Sequence, residues 1–530
     1  MDDGDMIEAW SAADVRTAEA PLLEAGVPLM ERAAYALAAV VRRDLARRRA
    51  VADPDGELRD GSVRGARVAL LVGSGNNGGD ALFAGAHLAR RDLDVTAYLA
   101  SARVHDGGLA ALRAAGGRVV AVAADEDERE AVHRIARADA IVDGLLGIGA
   151  TGALRGTGAA LVEGLVATLP APGDPARPWV VAVDVPSGIG VDDGTVPGPV
   201  LPADRTVTFG AAKPGLLLPP ATHLAGAGAV IDIGLAPAGE VRRPAVVRLE
   251  GADVAAAWPV PGPADHKYTR GVAGVVAGTA AYPGAAVLAT SAAVRAGAGM
   301  VRYQGPDPVA RDVLAARPEV VVAGGRVQAW VLGPGLPTDG PDDGQRDRAR
   351  AALAAASGRL AGAQAPVPAV VDAGALGLLD HTCPPWVVLT PHAGELAALL
   401  AARGADVDRA AIEAAPLRWA RRAHELTGAT VLLKGAATVV VGPQAVYSQA
   451  DAPHWAGTAG SGDVLAGLLG AMLAARAEEV VATPDLAARV AASAALVHGL
   501  AAERANPGGP VAALDIAAAL PGTVAALLAR

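Results

Sequence analysis

The chain has 530 residues, of which 52% are hydrophobic, 19% charged and 3% aromatic, and its formal net charge is −10. That length exceeds one ordinary core and implies two or three compact domains, two by default, while the apolar content excludes a disordered chain. The acidic balance excludes a general polyanion-binding surface, so no nucleic-acid partner is expected, and the single Cys383 excludes an intramolecular disulfide.

The opening MDDGDMIEAW lacks the basic-then-apolar order of a secretion signal. Apolar runs such as VLAGLLGAMLAA fall short of the roughly 18 residues of a membrane span, so a cytoplasmic protein without a membrane partner is expected. Residues 11–49 read as helices, with Leu22, Leu23, Leu29, Met30, Ala33, Tyr35 and Leu37 forming apolar faces for packing or for the contact of an expected homo-oligomer. Strand-length apolar runs follow at ARVALLV, DVTAYLA, GRVVAV, ADAIVDG and PWVVAVD, each ending in a polar or Gly-rich turn. Such runs alternating with helical patterns indicate an α/β fold with a mostly parallel sheet covered on both faces. Between Leu235 and Pro263 the sequence turns Pro-rich and loses periodicity, which puts the boundary there, giving domains 1–238 and 239–530. A second set of strands then begins with GVAGVVAG, GMVRYQG, AWVLGPG, PAVVDAG, PWVVLTP and TVLLKG. Ligands of open α/β sheets gather at the carboxyl ends of the strands, so chemistry is sought there.

In the first domain GSGNNGGDA follows a strand directly. Its glycines bring backbone N–H groups close to an anion at a helix N-terminus, and Asn76, Asn77 and Asp80 add side-chain oxygens that suit a hard monovalent ion or a ribose. The bland alternative is a tight strand-to-helix turn. Asp143 and Asp184 end two further strands and Lys213 lies in FGAAKPG, where an ammonium could face a phosphate or a reacting oxygen. In the second domain GTAGSGDVLAG leads into an apolar helix. The N–H groups of Ala459 to Gly462 are expected to form an anion hole for a transferring phosphoryl group, with Asp463 beside it to take a proton from an attacking hydroxyl. Asp372, His392, Glu395 and Lys434 lie at neighbouring strand ends, and the HAGE interval matches no zinc spacing.

NNGGD, DGLLGIGATG, DVPSGI and FGAAKPG, in this order, resemble the YjeF N-terminal family of NAD(P)H-hydrate epimerases over about residues 11–235. DHKYTRG, YPGAAVLAT, GAGMVR, GPGL, TPHAGE, LLKGAAT and GSGDVLAG resemble the YjeF C-terminal family of ADP- or ATP-dependent NAD(P)H-hydrate dehydratases over about residues 265–528. The resemblance implies two three-layer αβα domains, the first Rossmann-like and the second ribokinase-like. It further implies that Asn76, Asn77, Gly78, Gly79 and Asp80 contact the hydrated cofactor, NADHX or NADPHX, and that Gly147, Ile148, Gly149, Ala150, Thr151, Gly152 and Ala153 cradle its phosphates. Potassium falls to Asn77, Asp143 and Ser187, acid/base work to Asp184, and a helper role to Lys213. In the second domain Ala285, Gly335, His392 and Asp463 would touch the hydrate, and Lys434, Gly435, Ala436, Ala437, Thr438 and Gly462 the nucleotide, ADP or ATP with magnesium. Asp463 would be the catalytic base. This chain departs from the families' commoner LFGTG and DADAL with LLGIGATG and VVDAGAL, so Gly374 takes no acidic role. The competing expectation is a small-molecule kinase of the same fold fused to a non-catalytic binding module.

Overall fold

The computed structural model describes residues 6–52, 58–122, 126–235, 243–359, 365–379 and 381–529. The chain divides into two compact units, Glu8–Ala245 and Val246–Arg530 with the N-terminal residues up to Ile7. The boundary expected at residue 238 lies outside the described residues. The stretch expected to lack periodicity contains a strand, Val246–Arg248, and a helix, Gly251–Ala257. The strand is only three residues long and the helix seven, too short for a periodic pattern to show.

In the N-terminal unit the strands of the main sheet are β1 (Arg67–Val72), β2 (Asp94–Leu99), β3 (Arg118–Ala121), β4 (Ala140–Gly144), β5 (Trp179–Val183), β6 (Arg205–Phe209) and β7 (Ala227–Ile231). They form a parallel sheet in the order β7-β6-β5-β4-β1-β2-β3. Central strands are apolar on both faces, as in VALLV of β1, where Val68, Leu70 and Val72 join one core cluster and Ala69 and Leu71 another. The edge strands β3 and β7 are only partly covered. One face carries α2 (Leu29–Arg48) and α3 (Asn76–Ala89), through Leu37, Val41 and Leu82; the other carries the helix Gly156–Thr168, through Leu161 and Leu165. A further helix, α1 (Ala12–Glu24), starts on Ser11, whose hydroxyl accepts from Asp14 N. The apolar face expected over these first helices is narrower than its sequence suggests: Leu29, Ala33 and Leu37 are buried, whereas Leu23 and Tyr35 are exposed.

The C-terminal unit has β8 (Val246–Arg248), β9 (Val272–Val276), β10 (Met300–Tyr303), β11 (Ala329–Leu332), β12 (Ala369–Val371), β13 (Val387–Leu389), β14 (Thr430–Leu433), β15 (Thr438–Val441) and β16 (Val446–Gln449), in the order β8-β16-β15-β14-β13-β12-β11-β9-β10. From β9 to β14 the pairs are parallel, whereas β14-β15-β16 is antiparallel. The chain turns back through the four residues Lys434 to Ala437, too short a link for a parallel crossover. One face is covered by α4 (Pro283–Arg295), α6 (Ser461–Ala475), α7 (Leu486–Ala505) and α8 (Ala513–Leu528), whose Leu468, Val497 and Leu520 share a core with Val275, Val331, Val388 and Leu432. On the other face lie Gln345–Ala356, α5 (Ala393–Ala401) and Pro416–Thr427. Helix α7 has the length and mean hydropathy, 1.2, to cross a membrane, but 78% of that window is buried inside the unit, as befits a central core helix.

Helices α4 and α6 approach closely at Gly467, where a Cβ would stand 2.1 Å from the carbonyl oxygen of Ala289. Backbone cannot swing aside as a side chain can. Gly467→Ala is therefore expected to destabilise this unit by about 1–3 kcal/mol, the usual range for overpacking, read as a lower denaturation midpoint.

Candidate active sites at the strand ends

In each sheet the strand order reverses beside the first parallel strand: between β1 and β4, and between β9 and β11. A crevice opens at such a switch point, and the sequence-predicted residues gather at these ends.

In the N-terminal unit the loop after β1 enters α3 with Gly75 as its N-cap. Asn77 is buried and its amide nitrogen donates to Leu146 O at 2.8 Å and Val183 O at 2.9 Å, tying α3 to the ends of β4 and β5. Asp143 is fully buried; Oδ2 accepts from Ser187 N at 2.9 Å and Oδ1 from Ser187 Oγ at 2.7 Å. Burial raises the Asp143 carboxyl above its ordinary range, with the bonds from Ser187 and Leu145 pulling the other way. Among the described residues no cation is paired with it. Asn77 Oδ1 lies 3.0 Å from where a Gly147 Cβ would be, so Asn77, Asp143, Ser187 and the start of the Gly147–Ala153 loop are neighbours. Beyond Gly147 that loop becomes exposed at Gly149, Thr151 and Gly152.

Asp184 takes a left-handed backbone, φ +66°, which is uncommon for a residue with a side chain and marks a turn held by its surroundings. Its Oδ1 accepts from Lys213 Nζ and from Thr208 Oγ1 at 3.0 Å; Lys213 Nζ also donates to Thr208 Oγ1 at 2.8 Å and Phe209 O at 2.9 Å. Lys213 is only 1% exposed. The ammonium expected to face a phosphate or a reacting oxygen is thus a buried partner of Asp184. Two more carboxyl groups feel this pair. Asp80 is buried and lifted well above the ordinary carboxyl range by desolvation, then by the charges of Asp184 and Glu19. Glu19, on α1, is raised by burial, with Lys213 opposing and Asp184 adding.

Glu19 and Thr208 went unrecognised in the sequence. Glu19 sits in a helix of ordinary composition, and Thr208 is one polar position in an alternating strand. The one available hint was the i, i+3, i+7 spacing of Ala12, Val15 and Glu19, which puts Glu19 on the buried face of α1.

In the C-terminal unit α6 begins at Ser461 with Gly460 as N-cap, at φ +83°. A side chain there would combine a disfavoured backbone with a Cβ 2.5 Å from Leu288 Cδ1. Of the four N–H groups expected to converge, that of Ser461 is taken by Thr458 O at 3.2 Å, because the turn before the helix closes on itself. The remaining first-turn N–H groups have no partner within the helix. Behind this turn the fully enclosed His498, held down to about 4 by burial, places Nε2 3.1 Å from Ser461 O and fixes the helix start.

Asp463 stands in the first turn. Burial, then Asp372, pushes its carboxyl up to about 7; Lys434 opposes and Glu395 adds. Lys434 Nζ is 2.8 Å from Asp372 Oδ1 and 3.6 Å from Glu395 Oε2, and 3.3 Å from where a Gly462 Cβ would be. Burial lowers the Lys434 ammonium, but Asp372, Glu395 and Asp463 together raise it. Three carboxyl groups thus surround one ammonium. Gly435 to Ala437 form the turn after Lys434 and Thr438 opens β15, and Ala285 and Gly335 touch across the switch point, where a Gly335 Cβ would be 2.6 Å from Ala285 Cβ. His392 is the N-cap of α5: Nδ1 accepts from Gly394 N at 3.0 Å and Glu395 N at 3.2 Å, while Glu395 answers with Oε2 2.8 Å from His392 N. Half of the imidazole is thus spent on the helix, and the ring is 57% exposed.

Residues 26–215 match the family model described as YjeF-related protein N-terminus, and residues 273–521 that described as NAD(P)H-hydrate dehydratase. A bifunctional NAD(P)H-hydrate repair enzyme of Mycobacterium leprae is 44% identical over 487 residues, 88% of this chain and 89% of that protein. The chain belongs to the bifunctional NAD(P)H-hydrate repair family. An NAD(P)H-hydrate epimerase of Clavibacter michiganensis is 47% identical over 232 residues, 43% of this chain and 91% of that protein. The ADP/ATP-dependent NAD(P)H-hydrate dehydratase structure from Bacillus subtilis, co-crystallised with ATP and Mg2+, covers 52% of this chain and 97% of its own, at 24% identity and a TM-score of 0.44. Similarity to a repair enzyme over nearly the whole chain favours the two-activity reading over a kinase fused to a binding module.

Proposed function

We propose that the N-terminal unit interconverts the R and S forms of NADHX and NADPHX, and that the C-terminal unit dehydrates the S form at the expense of ADP or ATP, in the cytoplasm where the cofactors are used. The observation that carries this reading is the same in both units. A lysine–carboxylate pair, buried at Lys213–Asp184 and partly exposed at Lys434–Asp372, stands beside a Gly-rich helix start at the strand ends of the sheet.

In the C-terminal site Asp463 takes the proton of the C6 hydroxyl as that oxygen attacks the terminal phosphoryl group of the nucleotide, which leaves one phosphate shorter. The first turn of α6 and Lys434 receive the charge of the transferring group. The ring nitrogen then expels phosphate from C6, and loss of a C5 proton restores the dihydronicotinamide. Asp372 and Glu395 are the side chains that would hold a magnesium ion brought on the nucleotide, whose chemistry is to neutralise phosphate charge. The surplus of carboxyl groups over Lys434 suits such a cation, and no cluster of three or more His, Cys, Asp or Glu residues forms a protein-only cage among the described residues. Gly435 to Thr438 and Gly462 border the nucleotide; Ala285, Gly335 and the outer edge of His392 border the hydrate.

In the N-terminal site Asn76 to Asp80 contact the hydrated ring and ribose, and Gly147 to Ala153 its phosphates. Asn77, Asp143 and Ser187 would hold a potassium ion. Their fit rests on the buried, cation-free Asp143 carboxyl and on Asn77 Oδ1, which accepts no hydrogen bond from the described residues. A monovalent ion there supplies the missing countercharge. Asp184 carries acid/base work at C6, with Lys213 orienting it.

The test is the full chain supplied with nucleotide and magnesium and each pure hydrate. Asp184→Asn is expected to regenerate NADH from the S form at the wild-type rate and from the R form about 10²–10⁴ times more slowly, the usual worth of a positioned acid or base. Equal rates from both forms would remove Asp184 from the acid/base role.

A further inference from the structure

A single carboxyl group, Asp184, accounts for the epimerase chemistry only if one group both gives and takes the proton. Where it stands, the Asp184 carboxylate is already engaged by the Lys213 ammonium. A second group is at hand. Asn77 and Asp80 are three residues apart on α3 and share a helix face. The bond from Asn77 to Val183 O sets that face against the residue preceding Asp184. Asp80 is 9% exposed, and no ion pair or hydrogen bond to its carboxyl occurs among the described residues. A buried carboxyl group without a partner favours its neutral form.

We propose that the epimerase site divides its work between two carboxyl groups: Asp80 delivers a proton to the departing C6 hydroxyl, and the Asp184 carboxylate, seated on Lys213, takes a proton from the water that returns. The inference rests on the reading of this unit as a hydrate epimerase. The ring nitrogen lone pair forms the N1–C6 double bond as the C6–O bond breaks, and the Asp80 proton leaves with the oxygen as water. Water then adds to the other face of C6, the double bond returns its electrons to nitrogen, and the surplus proton passes to Asp184. In the opposite direction the two carboxyl groups exchange roles, and proton exchange between them resets the site. Glu19, which interacts electrostatically with both Asp80 and Asp184, is assigned the mediation of that exchange. It lies on the face of α1 that also carries Ala12, which packs with Val185, Ile189 and Leu216 around the Asp184 turn.

The charged groups facing Asp80 agree with this assignment. Burial first, then Asp184 at the end of β5 and Glu19 on α1, raise its carboxyl and favour the protonated form, against Lys213 from the loop after β6. The ring of His105 packs beside the neighbouring Gly79.

The experiment follows interconversion of pure R- and S-NADHX by chromatography, with the full chain and no nucleotide, so that the dehydratase is silent. Asp80→Asn is expected to slow interconversion by about 10²–10⁴-fold with little change in KM, and Asp80→Glu to recover part of the rate. In the wild type, kcat should fall as pH rises, because the donor must hold its proton. Wild-type kcat in Asp80→Asn would overturn the two-carboxyl proposal and leave Asp184 acting alone. A wild-type protein that interconverts neither form would overturn the epimerase reading and this proposal with it. Should Asp80→Asn disturb folding, the wild-type pH profile decides: a rate flat through the alkaline range contradicts the proposal.

Discussion

Asp463→Asn is expected to abolish nucleotide-dependent recovery of NADH from the S hydrate, with a loss of at least about 10²–10⁴-fold. The amide keeps the size of the carboxyl group and cannot accept the hydroxyl proton, so binding should survive while kcat collapses. The pH dependence carries the same argument. The carboxyl, pushed up to about 7 by burial and by Asp372, must be ionised to act as a base. Dehydration in the free-enzyme regime, kcat/KM, should therefore be fully present above that value and fall tenfold per pH unit below it. An ordinary exposed aspartate would keep its activity down to about pH 4. A kcat/KM flat between pH 5 and 8, or a variant with wild-type kcat, would remove Asp463 from the base role.

Lys213→Met should act on the fold as well as on the reaction. Lys213 is 1% exposed and donates to Asp184, Thr208 and Phe209 O, so its removal leaves a carboxylate and a hydroxyl buried without their cation. Breaking one partner of a buried pair costs about 3–5 kcal/mol, a large part of the stability of one domain. Chemical denaturation should show the N-terminal unit unfolding at markedly lower denaturant, and use of the R hydrate should be lost. Dehydration of the S hydrate should persist, because Asp463 and Lys434 belong to the other unit. An unchanged midpoint would mean that the ion pair contributes no net stability.

The strands were legible where both faces are buried, as in VALLV of β1 or WVVAV of β5, because a parallel sheet needs continuous apolar runs. The antiparallel ribbon β15-β16 was not. Its TVVV and VYSQ runs are four residues each and depend on the turn after Lys434 for their direction. Among site residues, Asp184 and Asp463 could be singled out because acids ending apolar strands or opening apolar helices are conspicuous. What the sequence withheld is pairing. Lys213 lies 29 residues from Asp184, and only the return of β6 beside β5 brings the two together. Nor did the sequence disclose that His392, expected beside the hydrate, also caps α5 through its Nδ1. Glu19 carries no local pattern that separates it from a solvated helix carboxylate.

The most direct measurement supplies the full chain with a mixture of R- and S-NADHX, magnesium and limiting or excess nucleotide, and records near-ultraviolet dihydronicotinamide absorbance. Two coupled activities on one damaged cofactor predict that the whole mixture returns to NADH, with one nucleotide consumed for each molecule repaired and no recovery without nucleotide. Absorbance that stays flat while nucleotide is spent on another acceptor would contradict the account.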